Sequence, residues 1–217
     1  MNSKTKKITM VAMLVAMAYI LMFISKIIPA VQGFLQYDAK DVIITIGGFI
    51  LGPVYALITS VVVSVLEFSS VSSTGPIGLI MNIISTAAFS YTASLIYKKN
   101  KKISGAFLSL GVATITLTAI MLLWNYYITP IYMKIPREVI VPMLPTVFLP
   151  FNLVKGLINS GFILFTYKPI VSALQKANLI ERPSNHSPVK KISVALITGI
   201  ILVIIFIPVI LYMSNTI

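Results

Sequence analysis

Residues 42 to 68 read VIITIGGFILGPVYALITSVVVSVLEF, and whether they form one helix or two decides the topology of the whole chain. As one helix they would run about 40 Å at ~1.5 Å per residue, well beyond the ~30 Å hydrocarbon core of a bilayer. Charge decides between the two. With the N-terminus inside and a single crossing here, the KKNKK cluster at 98 to 102 lies outside, against the preference of Lys and Arg for cytoplasmic loops. Two short helices broken at Gly52-Pro53 return that cluster to the inside. Proline suits the break, because it cannot donate to the preceding turn. The sequence therefore predicts that residues 42 to 68 cross the membrane twice, with Gly52-Pro53 near the inner face.

The bilayer itself follows from composition. The chain is 58% hydrophobic and only 10% charged, with mean hydropathy +0.98. Soluble domains carry about 25% charged residues, so a water-facing surface cannot be built from this sequence. Clear spans are read at 8–25, 76–97, 104–126, 147–168 and 192–213. The first has a basic start and a long apolar run with no small-residue cleavage site, which predicts a span rather than a signal peptide. With the broken pair, this makes seven segments of an all-α, polytopic helical membrane protein. A polar linker is read at 181–191, ahead of an additional C-terminal helix at 192–213.

The net charge of +12 does not point to nucleic acid. The basic residues gather between apolar runs, and Lys4, Lys6, Lys7, Lys98, Lys99, Lys101, Lys102, Lys168, Lys176, Arg182, Lys190 and Lys191 all fall on the inside. This places the N-terminus in the cytoplasm and the protein in the cytoplasmic membrane. Lys26, Lys40, Lys134 and Arg137 fall in two outer loops, 26–41 and 129–146, together with Asp38, Asp41 and Glu138. Both loops are long and rich in proline or aromatic residues, which suits ordered caps over a cavity.

Within LPFNLVKGLINSGFILFTY, residues 149 to 167, Asn152 and Lys155 stand three apart and share one helix face. A lysine deep in a span costs roughly 2.5–3.5 kcal/mol on insertion scales, so it is expected only where a ligand or a hydrogen-bonding partner holds it. Lys155→Met is expected to weaken ligand binding without unfolding the chain. In LLWNYYITP, Asn125 closes the outer end of another span among Trp124, Tyr126 and Tyr127. That is a bidentate amide against an aromatic wall, suited to a flat heterocycle, although aromatic residues also gather at any membrane interface. Asn82 lies one to two turns into its span, where an interhelical hydrogen bond is the ordinary role. Glu67, at the outer end of its helix, is read as structural rather than proton-coupling. Ala12 and Ala16 give the first helix a strip on which a second helix can approach closely.

The sequence holds no Walker A motif, no HExxH and no cysteine, and no paired carboxylates or Ser/His arrangement is read inside the membrane. Catalysis and a resident metal or cofactor are therefore not expected, and uphill transport requires energy from a partner.

Taken together, FLQYDAKDV, GGFILGPVYA, TGPIGLIMN, WNYYITPIYM and LPFNLVKGLINS, in this order over residues 8 to 175, resemble the substrate-binding S components of energy-coupling factor vitamin transporters. The resemblance is to their riboflavin-specific branch. It implies a six-helix S-component bundle over residues 1–180, with the C-terminal helix as an addition. It also implies riboflavin as transported ligand and, as partners, a transmembrane scaffold protein with two ATPase subunits. Carried over residue by residue, Asn125, Asn152 and Lys155 match polar flavin ligands, and Phe34, Leu35, Tyr37 and Asp38 match a lid over the flavin. Ala12 and Ala16 match the scaffold contact. An S component for another vitamin, such as thiamine or biotin, remains the alternative, with a membrane enzyme or a stand-alone facilitator further behind.

Overall fold

The structure, a computed structural model, describes residues 3–31, 33–71, 75–180 and 193–215. The linker expected at 181–191 lies outside the described residues. Among these described residues, nine α-helices follow in chain order: α1 (Ser3–Ser25), α2 (Lys40–Leu51), α3 (Pro53–Ser70), α4 (Gly75–Lys99), α5 (Ile103–Tyr127), α6 (Thr129–Met133), α7 (Arg137–Met143), α8 (Leu149–Lys176) and α9 (Ser193–Asn215). A π-helical turn, Leu144–Phe148, leads into α8. Helices α1 to α5 and α8 form a six-helix bundle, and α9 lies against α8.

The break falls at Gly52, as the sequence predicts. Its φ of 107° lies in the region that glycine adopts without penalty, and Pro53 opens α3 where its missing N–H is harmless. The two halves are unequal. Helix α2 has 12 residues, about 18 Å at ~1.5 Å per residue, too short to cross a bilayer alone. It is the bundle's central element instead. Every residue from Lys40 to Phe49 is buried, and the helix touches α1, α3, α4 and α8. Among the described residues, α1, α3, α4, α5, the α7–α8 stretch and α9 are long and apolar enough to span.

Apolar side chains of α2, α4, α5 and α8 form the main core, including Ile46, Phe49, Phe89 and Leu117. Polar residues inside the helices satisfy themselves locally. Thr45, Thr59, Ser60, Ser94, Thr114 and Ser160 each donate to the carbonyl four residues back, as lipid surroundings demand. On α1 the buried stripe is Met10, Leu14, Ala18 and Met22, whereas Ala12 and Ala16 are exposed.

Helix α9 meets α8 at a glycine–glycine crossing. A Cβ on Gly161 would lie 2.9 Å from the Gly199 carbonyl oxygen, and one on Gly199 would lie 2.6 Å from that of Gly161. In lipid such close backbone approach is itself the source of helix association. Gly199→Leu forces the helices apart, and overpacking of this kind costs about 1–3 kcal/mol. A lowered thermal midpoint of the purified protein in detergent is the expected result, and an unchanged midpoint would show that α9 docks by other contacts.

Candidate functional site

The ends of α1, α3 and α5 and the starts of α2, α4 and α8 gather at one end of the bundle, the cap end. The segment between α1 and α2 is pinned there by an isolated bridge between Val31 and Leu35. The segment between α5 and α8 folds into α6, α7 and the π turn. The described residues of both loops lie at this end of the bundle. The lysines of 98 to 102 sit at the opposite, basic end.

Two linked layers of charge lie beneath the cap. In the upper layer the Lys40 ammonium sits between the carboxylates of Asp38 and Glu67. Glu67 also accepts from Lys26 at 2.7 Å. Burial alone would raise the Asp38 carboxyl, but Lys40, then Lys155 and Lys26, hold it below the usual carboxylate range. In the lower layer the Lys155 Nζ lies 3.5 Å from Asp41 Oδ2 and donates to Ser85 Oγ at 3.3 Å. Asn159 donates to the same Asp41 oxygen at 3.3 Å, and its own Oδ1 accepts from the Tyr37 hydroxyl at 2.8 Å. Lysines 26, 40 and 155 thus balance Asp38, Asp41 and Glu67, which is how so much charge is tolerated in a buried site. Asp41 also occupies the first turn of α2, where the helix dipole favours an anion.

This corrects the placement of Lys40 and Asp41. The sequence puts both in an outer loop, whereas they begin α2 and are fully buried. Glu67, read as structural, pairs with two lysines, Lys26 and Lys40.

Above the charges lies a cleft of about 200 Å³, lined by Lys26, Phe34, Asp38, Glu67, Asn82 and Tyr132 among others. A smaller cavity of about 20 Å³ adjoins it, sharing Phe34, Met81 and Tyr132 and adding Trp124 and Asn125. Of the residues singled out in the sequence, Phe34, Asp38, Asn82 and Asn125 therefore come together around this space. Leu35 and Tyr37 turn the other way. Leu35 packs with Val31, Phe148 and Phe151, and Tyr37 reaches down to Asn159.

Asn152 and Lys155 share one face of α8 but do not line the cleft. The Asn152 amide donates to the Phe148 carbonyl, at 2.8 Å, within the π turn. Asn125 donates to Met121 O at 2.7 Å and accepts from the Thr129 hydroxyl at 2.8 Å. The aromatic wall is also different from the one expected. Tyr126 and Tyr127 stack edge-on with each other and hold Arg137 over their rings, with Tyr127 exposed, so Trp124 and Tyr132 face the cavity instead. Asn159 escaped the sequence reading, though its signal was there: it follows Lys155 by four and Asn152 by seven, on the same helix face.

Residues 6–171 match the family described as ECF transporter, substrate-specific component. The chain is 28% identical over 179 residues to the riboflavin transporter RibU of Staphylococcus aureus, an overlap of 80% of this chain and 94% of that one. It is 30% identical over 185 residues to the RibU of Streptococcus thermophilus, covering 80% of this chain and 87% of the relative. The riboflavin transporter FmnP of Bacillus subtilis is 26% identical over 188 residues, covering 81% and 99%. A solved structure of the S component of a bacterial ECF transporter superposes with a TM-score of 0.68 at 29% identity, over 79% of this chain and 99% of that one. The family match ends before α9 begins.

Proposed function

Because the chain belongs to the substrate-specific components of ECF transporters, we propose that it binds riboflavin at its cap end and delivers it inward with a partner energising module. The observation that carries this reading is the similarity to riboflavin transporters over nearly their whole lengths. The cleft chemistry agrees. An isoalloxazine ring is flat and amphipathic, with carbonyls and ring nitrogens along one edge. Phe34, Trp124 and Tyr132 offer faces to the ring, and the Asn82 and Asn125 amides offer donors and acceptors to its edge. The partners are a transmembrane scaffold protein and two ATPases, which supply the energy that this chain has no site to extract.

The cleft of about 200 Å³ is smaller than the ~300 Å³ at which pockets for drug-sized ligands begin. Entry of a flavin therefore requires the 26–39 loop to shift, and Phe34 on that loop is the closing lid. The purified protein is expected to be yellow when it retains flavin and to quench riboflavin fluorescence on titration. Phe34→Ala removes a stacking face worth about 0.5–1.5 kcal/mol and should weaken binding about two- to twelvefold. No flavin binding by the wild type would overturn the assignment, and an unchanged dissociation constant for the variant would remove Phe34 from the lid.

The basic end, with Lys4, Lys6, Lys7, Lys98, Lys99, Lys101 and Lys102, is the cytoplasmic one by the positive-inside preference. In this cysteine-free chain, cysteines placed at positions 52 and 100 should resist a membrane-impermeant thiol reagent added outside and react once the membrane is opened. Labelling of position 100 from outside would reverse the topology.

A further inference from the structure

A second cavity lies at the opposite end of the bundle, far from the flavin cleft. It has a volume of about 210 Å³ and is built from the end of α2, the α4–α5 turn, the last part of α8 and the beginning of α9. Its inner wall is apolar. Phe49 and Tyr97 stack at 4.1 Å between ring centroids, Tyr167 meets both rings edge-on, and Ile163 and Leu164 continue the surface. Its rim carries Lys101, Lys102 and Lys168, all exposed.

These lysines have no counter-charge from the protein's described residues. The acids among those residues are Asp38, Asp41, Glu67 and Glu138, all at the cap end, and the ion pairs found are there too. Among the described residues, nothing at the basic end opposes this charge, which leaves the rim open to an anionic ligand. The start of α5, capped by Lys102 without a side-chain hydrogen bond, adds a positive helix end to the same rim. A free inorganic anion would use the rim and leave the aromatic and aliphatic wall unexplained. A ligand with an anionic phosphate head and a hydrocarbon tail uses both.

We propose that this cavity is a binding site for an anionic phospholipid, with the phosphate held by Lys101, Lys102 and Lys168 and an acyl chain lying against Phe49, Tyr97 and Leu164. Basic pockets between spans at the cytoplasmic leaflet take such headgroups, each lysine adding about fivefold in affinity. Helix α9 completes the cavity through Ala195. The family match stops at residue 171, so Ala195 adds to the cavity from outside the part shared with the family, while the lysines and the aromatic wall lie within it.

The test uses the full chain in nanodiscs of mixed phosphatidylglycerol and phosphatidylcholine, followed by native mass spectrometry of the released protein. Preferential retention of phosphatidylglycerol by the wild type is expected. The Lys101→Gln, Lys102→Gln, Lys168→Gln triple variant should lose that preference, while Lys4→Gln, Lys6→Gln, Lys7→Gln keeps it. Glycerol 3-phosphate, the headgroup without chains, should not displace the lipid. Equal retention of the two lipids by the wild type overturns the proposal whatever the variants do. Displacement by glycerol 3-phosphate also overturns it, and assigns the rim to a soluble phosphate. Riboflavin titration of the same samples is independent, since none of these lysines is near the flavin cleft; a failure there would count against the flavin reading and not against the lipid site.

Discussion

Lys155→Met is expected to destabilise the folded protein by about 3–5 kcal/mol, the usual cost of leaving one member of a buried ion pair alone. The uncompensated group is Asp41, which is fully buried and has Lys155 as its nearest cation, at 3.5 Å. Asn159 also donates to Asp41, but a neutral amide does not offset a full charge. From the sequence alone, Lys155 has no named partner, and its loss is expected to affect binding only; the Asp41 contact changes that expectation. Adding Asp41→Asn removes the orphaned charge and should restore most of the stability in thermal unfolding of the detergent-solubilised protein. The double variant then separates two roles for the lysine. If the Lys155 ammonium also meets the flavin, binding by the double variant stays weak by about 1.5–3 kcal/mol, the worth of a hydrogen bond to a charged group. Wild-type binding by a stable double variant would confine Lys155 to holding α8 against α2. A single Lys155→Met variant as stable as the wild type would refute the ion-pair argument.

Ala16→Trp should abolish riboflavin uptake while leaving riboflavin binding intact. Ala12 and Ala16 lie on the exposed side of α1, away from the Met10, Leu14, Ala18 and Met22 stripe that faces the bundle. Ala12 borders an apolar groove of about 770 Å³ between α1 and α3, with Tyr55, Ile58 and Val62 across from it. Both alanines are exposed, and surface substitutions usually change stability by no more than about 0.5 kcal/mol. A partner helix is another matter. Lipid tails solvate apolar side chains as well as a neighbouring helix does, so association depends on close approach over small residues, and an indole on the strip blocks it. Co-purification with the scaffold and ATPases should be lost together with uptake, and Ala12→Trp should behave alike. A fall in riboflavin binding equal to the fall in uptake would mean that the alanines serve the bundle itself. Normal uptake would remove this face from the interface.

What the sequence determined is what depends on local chemistry. Charge-free apolar runs of about 20 residues are helices in lipid, because a helix satisfies all its backbone groups within one segment and a membrane strand is far shorter. The break at Gly52-Pro53 follows from the φ that glycine permits and the donor that proline lacks. The shared face of Asn152 and Lys155 follows from helical periodicity, and the same periodicity reaches Asn159. The family resemblance was legible for the same reason: its motifs are short and contiguous.

Only the tertiary structure decided who meets whom. Asp41 and Asn159 are 118 positions apart in the chain and touch, and no local pattern announces it. Lys40 and Asp41 look like loop charges because charged residues beside an apolar run normally face water. They are buried here because α2 begins beneath the cap, where Glu67, Asp38 and Lys155 arrive from other elements to neutralise them. Tyr126 and Tyr127 likewise meet Arg137 rather than the cavity, since both follow the buried Asn125 around α5, and Tyr132 of α6 lines the cavity instead. Charge balance and cavity lining are sums over distant segments, so packing alone fixes them.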